Sequence, residues 1–140
     1  LQGMFRRRRL LPQVLASAKL ANPQNNPLIH NALSNLADAQ RAFVFGAYYA
    51  ALAMLRSTIE AVLKEGYKAS GEDLSQQINS VRGKLPRDAN ADRLHKIRRR
   101  ANSILHLGEN RSQLELEQLE LDTLDDLLTL QRLTEGVGKR

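Results

Sequence analysis

Between Tyr48 and Val62 apolar side chains return every three or four positions, at Tyr48, Leu52, Leu55, Ile59 and Val62. That spacing lays one stripe along a helix and excludes a strand, whose side chains alternate with a period of two. Elsewhere there is little two-residue alternation of β-branched residues, and no Asn-Gly or Asp-Gly pair is present to turn a hairpin. The expected fold class is therefore all-α: a compact bundle of four to five helices, preceded by an N-terminal helical or flexible basic arm.

Glycines, prolines and capping residues set the expected boundaries. Two prolines and three asparagines in Asn22–Pro27 break any helix, and Asn26-Pro27 can cap the next one. Residues 1–26 are read as the arm or extra helix, within which 5–20 can form a helix of its own, and Leu1–Gly3 as a vector-derived remnant before Met4. The bundle is placed at 27–135 and a flexible tail at 136–140. Inside the bundle one helix is predicted from Leu28 to about Phe45 and a second from about Ala47 to Tyr67, with a tight turn at Gly46 between them. Asp73 and Gln76 form a capping-box pattern for a short helix over 74–81, which Gly83 and Pro86 terminate. A fourth helix is predicted from about Asn90 to Leu107, ending at Gly108. The last is capped by Ser112 with Glu115 and runs from Leu114 to Leu133. Its leucines cover more than a narrow stripe, as in a helix buried between neighbours or shared with a second subunit, and a homodimer is expected.

The chain contains 140 residues and no cysteine, which excludes disulfides, thiolate nucleophiles and cysteine-based zinc sites together. Its longest uncharged run, Ala42–Leu55, is shorter than the ~18–20 apolar residues of a membrane-spanning helix. A cytoplasmic protein with no membrane contact is expected. The net charge of +6 is segregated: Arg6–Arg9 and Lys19 are basic, 84–111 carry a second basic block, and 112–130 carry Glu115, Glu117, Glu120, Asp122, Asp125 and Asp126 with no cation. Such a division suits one side facing a polyanion and another facing away, although charge runs also arise as ordinary solvated faces, the reading favoured for Arg6–Arg9 alone.

The helix from Asn90 to Leu107 carries the chemistry-bearing residues. At about 100° per residue, Leu94, Ile97, Ala101, Ile104 and Gly108 fall to one side, and His95, Arg98, Arg99, Asn102 and His106 gather toward the other. Arginine offers a planar fork to phosphate oxygens, histidine passes protons near neutral pH, and an amide orients substrates. From spacing alone the favoured reading is the wet side of a long exposed helix, which often carries Arg, Asn and His for solubility. Three histidines, with His95 and His106 far apart and no carboxylate at ligand spacing, do not form a metal site, and His30 reads as a surface or packing residue.

The stretch Ile97–His106 resembles the signature of the HEPN superfamily, an arginine followed after four to six residues by a histidine late in one helix. More narrowly it is similar to a HEPN-related family catalogued as a domain of unknown function, with the pattern R-x-x-G-N-x-x-x-H. Arg98, Asn102 and His106 stand in register, and Ala101 replaces the glycine. The stretch from Gly46 to Glu60 is similar to that family's preceding helix, including Arg56 and Glu60 four apart. The resemblance covers about 28–133.

It implies a metal-independent endoribonuclease without cofactor, of the kind found in toxin or defence systems. In such enzymes two of these helices meet across a dimer to form one composite site. Catalytic roles then fall to Arg98, Arg99, Asn102 and His106, with Arg56, Glu60 and Arg100 in support, and RNA contacts to His95, Lys96, Arg98, Arg99 and Arg100. Arg99 and Arg100 both satisfy the superfamily spacing, and Arg98 the narrower pattern. Helical geometry ranks Arg98 and Arg99 above Arg100, which lies about 120° from His106. Arg56 and Glu60 are either a plain surface pair, in the less favourable order, or a brace for an arginine of the later helix. The alternative to catalysis is a HEPN-like module that binds nucleic acid or a protein partner.

Overall fold

A computed structural model describes residues 2–10, 30–104 and 113–138. They form six α-helices: α1 (Gln2–Leu10), α2 (His30–Val44), α3 (Tyr48–Gly66), α4 (Leu74–Ser80), α5 (Ala91–Ile104) and α6 (Gln113–Gly138). Two short 3₁₀ turns, Arg82–Lys84 and Arg87–Ala89, lead from α4 to α5. There is no strand among the described residues, and no helix there is long and apolar enough to cross a membrane. The expected all-α bundle is the observed one.

α2 and α3 form an antiparallel hairpin whose corner is dictated by Gly46. Its φ of +79° is accessible to glycine at no steric penalty. Gly46 N–H donates to the Phe43 carbonyl at 3.0 Å and Ala47 N–H to the Ala42 carbonyl at 2.9 Å. This paired pattern is a Schellman ending, which satisfies carbonyls that the last turn of α2 would otherwise leave open. Leu52, Leu55, Ile59 and Val62 of α3 are fully buried, with Tyr48 at the stripe's edge. Against them pack Leu36, Ala39 and Phe43 of α2, Ile78 of α4, Leu94 and Ile97 of α5, and Leu127, Leu130 and Leu133 of α6 in one core. Each of the larger aliphatic and aromatic side chains contributes roughly 1.5–3 kcal/mol by leaving water.

The α4 cap forms as its residues imply. Asp73 accepts from Gln76 N–H at 2.8 Å, while the Gln76 side chain reaches back to the N–H of Glu72, one position earlier than in the standard reciprocal box. Asp73→Ala is expected to lower stability by about 1 kcal/mol, read as a shift in the urea midpoint at unchanged slope.

The last helix departs from expectation at its end. It continues through Gly136 to Gly138, into the expected tail. Glycine stands there because the neighbours are close: a Cβ on Gly136 would lie 2.5 Å from the Tyr67 hydroxyl and 2.6 Å from Pro86 Cγ. The wide leucine arc of α6 is mostly covered within the chain, by α2, α3 and the second 3₁₀ turn; Leu116, Leu121 and Leu128 remain exposed. α1 is docked on the bundle: Arg6 pairs with Glu120 of α6, and Arg7 donates to the Val44 carbonyl at 2.9 Å and to the Tyr48 hydroxyl at 3.2 Å. Arg8 and Arg9 are exposed.

Candidate functional site

α5 is built by its sequence to bury one side and offer the other. Ala91, Leu94, Ile97 and Ala101 are in the core, and Asn90 caps the helix by accepting from Arg93 N–H at 3.0 Å. The arginines of the central run leave the helix in three directions, because successive residues are turned by about 100°.

Arg100 points to α6. It pairs with Asp126, whose side chain is 4% exposed, and its own side chain is 16% exposed. A second carboxylate, Asp122, lies 3.9 Å away. Burial pushes Asp126 up to about 6, with the Arg100 hydrogen bond and charge opposing that shift. Arg100 is thereby committed to holding α5 against α6. Arg99, one residue earlier, is exposed, as is Lys96.

Arg98 turns the opposite way, toward α4. Its Nε donates to His95 Nδ1 at 3.2 Å, and the other ring nitrogen, Nε2, lies 2.8 Å from Asn79 Oδ1. Arginine Nε can only donate, so Nδ1 is the acceptor, and Nε2 carries the hydrogen that is given to Asn79. Asn79 Oδ1 also accepts from Arg82 Nη2 at 3.2 Å, and Arg82 reaches Asp92 at 3.3 Å. His95 is only 8% exposed. Burial holds its imidazole below the ordinary histidine value; Arg98, Arg82 and Arg99 push in the same direction and Asp92 opposes them. Asn102, one turn beyond Arg98 on the same flank, is partly exposed. His106 lies outside the described residues, as does the His30 side chain.

Arg56 and Glu60 are not brought together. Among the described residues neither forms an ion pair, and Arg56 Nε is buried without a partner. They make neither the plain surface pair nor a brace on α5.

Sequence reading missed the partners that sort the arginines. Asn79 and Arg82 belong to α4 and the turn after it, and Asp126 is 26 residues from Arg100. The acidic character of α6 was visible; that two of its carboxylates, Glu120 and Asp126, are buried against Arg6 and Arg100 was not. The charge segregation is thus partly closed within the molecule.

These features define an all-α bundle with a cationic helix face, one of whose arginines is fixed by a buried histidine. Residues 37–135 match the family described as Domain of unknown function (DUF4145), and the chain belongs to that family. No curated protein and no solved structure gives a match.

Proposed function

We propose that this protein is a HEPN-type RNA-cleaving protein that works without metal in the cytoplasm, with a composite site formed where the α5 helices of two subunits meet. The observation that supports this reading is the flank of α5 on which Arg98 and Asn102 stand one turn apart, Arg98 held by His95. A guanidinium fixed in direction matches phosphate geometry better than one that samples many rotamers, because less freedom is lost when the phosphate binds. In the proposed reaction the RNA 2′-hydroxyl attacks the adjacent phosphate, the bond from phosphorus to the 5′-oxygen of the next nucleotide breaks, and that oxygen leaves with a proton while a 2′,3′-cyclic phosphate remains. His106 removes and returns protons, Arg98 with Arg99 stabilises the charge on the phosphoryl oxygens, and Asn102 orients His106 or the phosphate. The requirement for a 2′-hydroxyl confines cleavage to RNA.

A second reading, a module that binds nucleic acid without cutting it, has its own support: Ala101 stands in place of the pattern's glycine, and Arg100 is engaged by Asp126. Incubation with end-labelled single-stranded RNA in EDTA separates the two. Cleavage that leaves 2′,3′-cyclic phosphate ends and is lost in His106→Ala, Arg98→Ala and Arg99→Ala is the expected result. RNA that is bound but stays intact would leave the binding module, and cleavage unchanged in His106→Ala would overturn the catalytic assignment.

A further inference from the structure

The basic face contains one histidine that the proposed chemistry does not use. Both nitrogens of His95 are engaged, Nδ1 by Arg98 and Nε2 by Asn79, and the ring is buried. It has no donor to spare for a phosphate. We propose that His95 is a positioning residue, a neutral imidazole that, oriented by Asn79 from α4, receives Arg98 Nε and aims the rest of that guanidinium outward at an RNA phosphate. The proposal rests on the RNA reading for its functional half, and its structural half stands on the hydrogen-bond geometry alone.

Arg98 presents five N–H donors, and His95 takes only the Nε one. The terminal Nη groups keep the fork that matches a phosphate edge, so the contact fixes direction without consuming the recognition surface. The contact requires a neutral ring. Protonation would place a hydrogen on Nδ1, turn the acceptor into a donor facing a donor, and add a cation beside Arg98, Arg82 and Arg99, with Asp92 as the opposing charge. Asn79 supports the neutral form because its Oδ1 accepts from Nε2 without carrying a charge. A carboxylate there would stabilise the imidazolium.

The contact is also a specific claim about α4. A short helix capped by Asp73 supplies, near its other end, the residue that sets the ring's tautomer. It gives α4 a role beyond covering the core.

Nitrogen-15 NMR of the full chain tests the structural half. Wild-type protein is expected to show His95 as the Nε2–H tautomer and a slowly exchanging Arg98 Nε–H signal. That signal should shift on acidification with the same midpoint as the His95 ring. His95→Phe, which keeps the ring volume, and Asn79→Asp, which keeps the shape of Asn79 and favours the charged ring, should both return Arg98 to solvent-like exchange. An Nδ1–H ring in wild type, or an Arg98 signal unmoved by acid and by both variants, would overturn the proposal.

The functional half is read with labelled RNA. His95→Phe is expected to weaken cleavage by about ten- to a hundredfold, with Asn79→Asp reproducing the loss most strongly between the wild-type ring's midpoint and the higher midpoint of the variant, where only the variant ring is charged. If wild-type protein neither binds nor cuts RNA, the RNA reading fails while the NMR result still judges the Arg98 contact. If Arg98 is released in both variants and RNA cleavage is unchanged, His95 is a structural residue only.

Discussion

Replacing Arg100 with alanine is expected to lower stability by about 3–5 kcal/mol near neutral pH, because it strands a buried carboxylate. Asp126 is 4% exposed and pairs with Arg100, whose side chain is 16% exposed; Asp122, at 3.9 Å from the guanidinium, is a weaker second partner. Forming the pair is itself close to neutral, since desolvating two charges offsets much of their attraction. Removing one member leaves only the desolvation, and that asymmetry makes the expected loss large. At this size the loss corresponds to a melting temperature lower by roughly 10 °C or more.

The pH dependence distinguishes this mechanism from lost packing. Asp126 is pushed up to about 6 from 3.8, so the folded state binds its proton more tightly than the unfolded state does. That contribution to stability is fully present below 3.8 and is lost as pH rises through about 6. Without Arg100 the carboxyl should be pushed higher still. The gap between Arg100→Ala and wild type should therefore shrink as pH falls toward 3.8, where the carboxyl is neutral in both. Asp126→Asn should flatten the wild-type slope between 3.8 and about 6. His95 acts with the opposite sign: its lowered value contributes stability above 6.5 that is lost as pH falls. The comparison is accordingly made as a difference between variants, in which the His95 contribution cancels. A gap that stays constant across the range would assign the loss to packing of the arginine stem.

Local signals carried most of the fold. The Gly46 corner, the Asp73 cap and the α3 stripe each act within a few residues, and each formed as its residue types imply. Departures came from contacts between distant segments. A glycine near a chain's end reads as a helix stop, yet Gly136 is inside α6 because Tyr67 and Pro86 press on it, a requirement no window of local sequence contains. The candidate site divides in the same way. A helical wheel separates Arg98 from Arg100, but only the positions of Asn79 and Asp126 reveal that one arginine is held toward α4 and the other bound to α6. His95 reads as a polar-face residue on the wheel and is buried because α4 covers that edge of α5.

Gly136→Ala is expected to destabilise the protein by about 1–3 kcal/mol, against the usual direction for a glycine inside a helix. Alanine ordinarily gains about 1 kcal/mol over glycine at such a position. Here the added methyl would lie 2.5 Å from the Tyr67 hydroxyl and 2.6 Å from Pro86 Cγ. Neither neighbour moves freely: the hydroxyl donates to the Leu133 carbonyl at 2.8 Å in a buried site, and the proline ring cannot rotate away. Overpacking therefore outweighs propensity. Tyr67→Phe removes one of the two obstacles together with the hydrogen bond, so Gly136→Ala should be less damaging in that background, with a coupling of about 0.5–1 kcal/mol. Gly83→Ala is the control, because a Cβ there meets nothing within 4 Å; it is expected to be neutral or to stabilise by a few tenths of a kcal/mol. The wild type and the four variants are compared by urea unfolding. A Gly136→Ala midpoint at or above wild type would mean that α6 can shift away from Tyr67 and Pro86, and that the close approach does not explain why this helix carries glycine so near its end.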